Sequence, residues 1–153
     1  MEGVALMTQF PALEDGVFVA PQIAQSTLPA LKADGVTTLV SNRVDGEEPG
    51  APRSADIADW AAAEGMQFHH LPVYPGQLTA DTVRGMSEAL ASAPGGVLVF
   101  CKSGGRSAAL WAVTRAAEGR LPPEALVEAA GQAGYDLRAL TEMLRGAAEQ
   151  GLP

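Results

Sequence analysis

The chain has 153 residues, 47% hydrophobic and 18% charged, a composition that suits one compact domain spanning 1–153 and excludes a disordered chain. With 18 acidic residues against 10 basic ones the net charge is -8, which repels nucleic acid and anionic membranes at long range, so neither is expected as a partner. The single cysteine excludes an intramolecular disulfide framework, an internal dithiol cycle and a multi-cysteine zinc site.

The chain opens on Met1-Glu2-Gly3-Val4, which lacks the basic region of a secretory signal, and no apolar run is long enough to span a bilayer. A cytoplasmic protein is expected. Gly16-Val17-Phe18-Val19-Ala20 reads as a first strand, placed at a sheet edge because Pro21 follows. Residues 26–34 read as a helix stopped by Gly35, and residues 37–42 as a strand. Residues 44–53 carry Asp-Gly and Pro-Gly and read as a loop. Ser54 caps a helix with Ile57, Trp60 and Ala61 at helical spacing, ended by Gly65. Residues 66–71 are the next strand, and a second loop runs from 72 to 78. Thr79 caps a helix that buries Val83, Met86 and Leu90. Gly96-Val97-Leu98-Val99-Phe100 is apolar without alternation, as in a strand covered on both faces. A nearly all-apolar helix is expected over 107–118, then two closing helices over 122–130 and 136–149. Strands alternating with helices predict an α/β fold with a mainly parallel sheet of about four to five strands and helices on both faces. In such sheets ligands bind beyond the carboxyl ends of the strands, where Cys101 falls.

A lone cysteine after an apolar strand is ordinarily a small core residue. The residues after it change that reading: Cys101-Lys102-Ser103-Gly104-Gly105-Arg106-Ser107. Gly104 and Gly105 permit a tight turn with amides facing inward, an anion nest. The helix beginning near Ser107 adds its positive end, and Arg106 adds a forked cationic donor. Ser107 is placed to donate to the sulfur. All of these favour thiolate over thiol, so a pKa of about 3.5 to 7.5 is expected for Cys101.

This loop resembles those of cysteine-dependent phosphatases and of rhodanese sulfurtransferases. The wider chain, from Phe18 to about Leu140, resembles the phosphatase-like domain of beta-lactamase-hydrolase-like proteins, a family also described as sulfur transferases. The carriers are Ala20-Pro21-Gln22, the segment from Asn42-Arg43-Val44-Asp45-Gly46 through Glu47-Glu48-Pro49-Gly50, the Cys101 loop with Ala108-Ala109-Leu110-Trp111, and Ala133-Gly134-Tyr135-Asp136-Leu137. The resemblance implies a cysteine-phosphatase-like fold, Cys101, Arg106 and Ser107 as catalytic residues, and Lys102, Ser103, Gly104, Gly105, Asn42 and Arg43 as substrate contacts. Two departures bear on the activity. Four residues separate Cys101 from Arg106, as in rhodaneses, where protein phosphatases place five. Pro72-Val73 is followed by Tyr74, where dual-specificity phosphatases place an acid.

Both departures lean towards sulfur chemistry, because thiol–sulfur exchange needs no strong general acid. The leading expectation is therefore a rhodanese-like sulfurtransferase. Cys101 would take a sulfane sulfur from thiosulfate or a persulfide and pass it to a thiol or cyanide, with no cofactor or metal. The alternatives are a cysteine-dependent phosphatase acting through phosphocysteine, and a non-catalytic anion-binding or redox-sensing module. The small-molecule partner is a small anionic sulfur compound or a phosphoester, with a thiol acceptor. The resemblance also implies a protein of the persulfide dioxygenase type as one candidate functional partner. Asn42 and Arg43 are read either as an ordinary turn or as an orienting contact to loop or substrate, and Asp45, Glu47 and Glu48 as a solvated turn or, alternatively, as a stand-in acid or a gate. His69 and His70 point to opposite faces of a strand and are read as structural, Trp60 and Trp111 as core.

Overall fold

The computed structural model describes residues 6–153; residues 1–4, on which the absence of a secretory signal is read, lie outside them. Among the described residues five strands form one sheet: β1 (Ala12–Glu14), β2 (Val17–Ala20), β3 (Val36–Ser41), β4 (Gln67–His70) and β5 (Gly96–Phe100), in the order β1-β2-β5-β3-β4. All neighbouring pairs run parallel except β1 and β2. Among the described residues six α-helices accompany them: α1 (Leu28–Ala33), α2 (Ser54–Ala63), α3 (Ala80–Ser92), α4 (Gly105–Ala117), α5 (Pro123–Gln132) and α6 (Thr141–Gln150). The expected α/β fold, with a mainly parallel sheet and helices on both faces, is the one observed.

The two-residue period of a strand divides the core. Val97 and Val99 of β5 face the same side as Val17 and Val19 of β2, and meet Met86 of α3, Leu110 and Trp111 of α4, Leu126 of α5 and Leu144 of α6. Leu98 and Phe100 face the other side with Phe18 and Leu39, against Leu28 and Leu31 of α1 and Ile57 and Ala61 of α2. Every residue of the central strand is thus buried, at about 1.5–3 kcal/mol for each large apolar side chain. Among the described residues no helix is long and apolar enough to cross a membrane.

Three expectations need correction. The strand at residues 16–20 is interior, because β1 covers its outer side. Pro21 lies one residue beyond the ladder, so its missing N–H costs no sheet bond, and β1 is too short to show a period. The buried helix starts at Gly105, two residues before Ser107, with Gly104 as its N-cap. The helices expected over 26–34 and 136–149 each begin as a 3-10 turn, at Gln25–Thr27 and Arg138–Leu140.

Candidate active site

Cys101 follows β5 directly and is fully enclosed. Backbone bonds tie this end of the sheet together: Cys101 N–H donates to the Ala20 carbonyl at 3.4 Å, Asn42 N–H to the Phe100 carbonyl at 2.8 Å, and Gln22 N–H to the Lys102 carbonyl at 3.3 Å. Gly104 turns the chain with φ +97°, a conformation L side chains rarely adopt, and an added Cβ would stand 2.0 Å from Tyr135 Oη. Gly104 N–H then donates to Cys101 Sγ at 3.1 Å. The first intrahelical bond of α4 runs from Ala108 N–H to the Gly104 carbonyl, 2.9 Å, so the amides of Gly105, Arg106 and Ser107 have no partner within the helix. Burial pushes the Cys101 thiol up. The amides of Ser107, Gly104 and Ser103 pull it down and prevail, so the group lies below the ordinary cysteine value.

Arg106 is the next element of the site. Its Nη1 donates to the Val73 carbonyl at 2.7 Å and to Glu47 Oε1 at 2.9 Å, with the Asn42 carbonyl at 3.5 Å. Its Nη2 donates to Glu47 Oε2 at 2.6 Å. Among the described residues Nε–H and the second Nη2–H have no oxygen partner, and the guanidinium also interacts with Cys101, after its larger interaction with Glu47. These two donors lie side by side on one edge of the planar group, the arrangement that takes two oxygens of one anion. Glu47 is held at about 2, chiefly by its hydrogen bonds from Arg106, with burial opposing.

The turn at Asp45, Glu47 and Glu48 is therefore not merely solvated, and this corrects the sequence reading. Asp45 accepts from Ser54 N–H at 2.8 Å and Ser54 Oγ at 2.6 Å, which caps α2 from outside; Ser54 is the first helical residue, not the cap. Glu48 pairs with Lys102 at 3.1 Å and with Arg43 at 3.3 Å. These contacts lower the pKa of both Asp45 and Glu48, through hydrogen bonds from Ser54 and from Lys102 respectively. None of the three carboxylates is poised to donate a proton. Asp81 is 90% exposed in the first turn of α3 and pairs with Arg84. Tyr74 is exposed.

Asn42 and Arg43 both sit beside the loop and are both buried. Asn42 Nδ2 donates to the Leu71 carbonyl at 2.8 Å, which leaves Oδ1 to accept from Ser107 Oγ at 2.7 Å. The Ser107 hydroxyl donates to Asn42 Oδ1, and Ser107 lowers the thiol chiefly through its backbone N–H, with its side chain a lesser contributor. Arg43 reaches Gln22 Oε1 at 2.7 Å, Glu47 and Glu48, and its carbonyl accepts from His70 Nε2 at 2.7 Å. Ser103 Oγ accepts from Gly105 N–H at 3.4 Å. Lys102 is exposed apart from its pair with Glu48. Trp111 is fully buried, as expected of core, and its Nε1 donates to Glu14, whereas Trp60 is only partly buried. Among the described residues no group of three or more His, Cys, Asp or Glu is placed to hold a metal ion.

Sequence reasoning missed Val73 as part of the site, placed Tyr135 only within a motif that carries the family resemblance, and read Glu47 as a solvated turn, stand-in acid or gate rather than as the partner of Arg106. Tyr135 Oη donates to the Ser103 carbonyl at 3.1 Å. It also lines an apolar cavity of about 370 Å³ that opens beside Gly105 and Arg106 and is walled by Val73, Leu78, Leu137 and Leu140. The available signal for Glu47 was its position four residues after Arg43, beyond a strand end at the active edge of the sheet.

Comparison with known proteins places this geometry. Residues 9–118 match the family model "Beta-lactamase hydrolase-like protein, phosphatase-like domain". A beta-lactamase hydrolase-like protein of Agrobacterium fabrum is 30% identical over 132 residues, covering 86% of this chain and 31% of that protein. The chain thus spans about a third of the length of that relative. A crystal structure of a candidate phosphatase from Neisseria meningitidis superposes with TM-score 0.80 at 30% identity, covering 92% of this chain and 99% of the other. TpbA of P. aeruginosa, solved in complex with pTyr, shares the fold at TM-score 0.60 and 21% identity, covering 88% and 86% of the two chains.

Proposed function

The chain belongs to the phosphatase-like domain family of beta-lactamase hydrolase-like proteins, and we propose that it is a cysteine-dependent hydrolase that cleaves phosphomonoesters through a phosphocysteine on Cys101. The observation that carries this reading is the pairing of a nucleophile with an anion site. Cys101 Sγ accepts the Gly104 N–H, and Arg106, clamped on one edge by Glu47, keeps two parallel donors free on another. The fold of phosphatase-named structures supports it. The thiolate attacks phosphorus, the S–P bond forms, and the ester oxygen departs with the bonding electrons. Water then attacks the phosphocysteine, releasing phosphate and the thiolate. Arg106 and the first-turn amides of α4 hold the oxygens on which charge develops. The apolar cavity beside Arg106 receives the organic part of the ester, which favours an aryl group.

A second reading, sulfur transfer, rests on two specific observations. The ring from Cys101 to Arg106 is one residue short of the protein-phosphatase spacing, and Asp45, Glu47 and Glu48 are all engaged as anions. Here the thiolate attacks the outer sulfur of thiosulfate, sulfite leaves with the electron pair, and a thiol acceptor later takes the sulfane sulfur. The expectation of sulfur transfer thus becomes the second reading, since the family description and the related structures favour the phosphatase.

The test runs both substrates on the same preparation. Turnover of 4-nitrophenyl phosphate that is lost in Cys101→Ser supports the leading reading. A sulfur adduct on Cys101 after thiosulfate, seen by intact mass, without aryl phosphate turnover, would replace it with the second.

A further inference from the structure

Tyr135 lies between α5 and α6, far in sequence from the loop, yet it touches the loop at its tightest point. Its Oη donates to the Ser103 carbonyl at 3.1 Å. That carbonyl belongs to the same peptide unit as Gly104 N–H, which donates to Cys101 Sγ at 3.1 Å. In a trans peptide the two groups point in opposite directions, so holding one outward aims the other inward. Phenol, peptide and sulfur therefore form one chain of hydrogen bonds. Residue 104 must be glycine both for its φ of +97° and because a Cβ there would overlap the phenol.

We propose that Tyr135 is a positioning residue for the nucleophile, pinning the Ser103–Gly104 peptide so that its N–H is directed at Cys101 Sγ. This rests on Cys101 being the nucleophile and holds for either proposed reaction. Two effects add. The bond prevents the peptide from turning its carbonyl, a repulsive dipole, towards the thiolate. It also polarises the peptide, which strengthens the N–H as a donor, since hydrogen bonds in series reinforce one another. The raised pKa of Tyr135, caused by burial and by the Cys101 charge, keeps the phenol protonated as a donor through the neutral range.

The other charged groups around the loop keep their own partners. Arg106 carries Glu47, Lys102 pairs with Glu48, Arg43 is held by both glutamates, and Asp136 pairs with Arg138 beside Tyr135. None of them depends on the phenol oxygen, so Tyr135→Phe isolates it while retaining the ring in the cavity wall. The experiment measures the iodoacetamide alkylation rate of Cys101 against pH in wild type and Tyr135→Phe, with the melting temperature of each. The inflection should rise by roughly half a pH unit in the variant, the weakening expected of one charge-assisted bond that loses its cooperative neighbour. A depressed wild-type inflection that does not move in Tyr135→Phe overturns the assignment of Tyr135 alone. A wild-type inflection at the free-cysteine value overturns the activated nucleophile itself, and with it both readings of function.

Discussion

Replacing Arg106 by lysine keeps the charge and removes the fork, and the structure says what that should cost. The guanidinium has five N–H groups. Three of them are committed to the protein: two from Nη1 to Val73 and Glu47 Oε1, and one from Nη2 to Glu47 Oε2. The remaining two, Nε–H and the second Nη2–H, have no oxygen partner among the described residues. A lysine ammonium has three N–H groups on a single atom. If two keep the Glu47 and Val73 contacts, one is left for the ligand, at a displaced position. If the ammonium turns to the ligand, Glu47 loses its partner at the rim of an anion site and repels the incoming charge. Either way at least one transition-state donor is lost, a change that typically costs about 100- to 1,000-fold in kcat, or roughly 3–4 kcal/mol.

The assay is steady-state hydrolysis of 4-nitrophenyl phosphate, with thiosulfate-dependent labelling of Cys101 measured in parallel. The melting temperature serves as the control for folding. The loss should appear in kcat/KM for the substrate that reacts. Arg106→Lys kinetics within a few-fold of wild type would show that the open edge of Arg106 takes no part in the reaction, and the anion site as described here would fall.

Three further outcomes follow from the same contacts. Cys101 should alkylate with an inflection below the ordinary thiol value of 9.0, because the amides of the loop outweigh its burial, and phosphate or thiosulfate should protect it; unprotected labelling with a normal inflection contradicts the nest. Glu47→Gln should destabilise the protein at neutral pH. The fall from 4.5 to about 2 amounts at face value to about 3 kcal/mol, reduced to about 1–2 kcal/mol by solvent around the carboxylate. Because the folded value is the depressed one, this contribution is complete above pH 4.5 and is lost as pH falls through about 2, so melting curves of the two proteins should converge over that window. Hydrolysis should be confined to esters with good leaving groups, since proton transfer to a poor one normally supplies about 100- to 10,000-fold. Efficient turnover of a phosphoserine peptide, lost in Asp45→Asn, Glu48→Gln or Asp81→Asn, would reveal a general acid in that carboxylate, whereas loss in Glu47→Gln also follows from the release of Arg106.

The parts of the site legible in the sequence are those that are local. A strand, a cysteine, two glycines, an arginine and a buried helix are consecutive, and backbone geometry follows from them with few alternatives. The sheet was legible for the same reason, since each βα unit carries its own apolar period. What was not legible depends on distance along the chain. Glu47 meets Arg106 across 59 residues, and Tyr135 meets Ser103 across 32. A run of acids beside Asp-Gly and Pro-Gly has the pattern of a solvated turn whether or not a cation waits beyond it. The three residues of β1 are too few to show a strand period, and without them β2 takes the place of an edge. The start of α4 was misplaced because a glycine pair reads as a breaker, whereas here Gly104 caps the helix and Gly105 begins it.

The proposed function asks an acidic protein to bind a small anion, and the site meets this by direction rather than by field. Three cations, Arg43, Lys102 and Arg106, surround the loop, but Glu47 and Glu48 lie on them, and Cys101 adds a third negative charge when it is a thiolate. The local sum is close to zero, within a chain of net charge -8. Such a centre exerts little long-range pull on a polyanion, whose many phosphates would feel the whole surface. A small anion feels instead the close contacts: two parallel N–H groups on the open edge of Arg106 and the amides at the start of α4. Those donors are fixed in place by bonds that do not involve the ligand, from Arg106 to Glu47 and the Val73 carbonyl and from Tyr135 to the Ser103–Gly104 peptide. Little reorganisation is then needed when charge develops on the bound group, which is the condition under which electrostatic stabilisation is most effective.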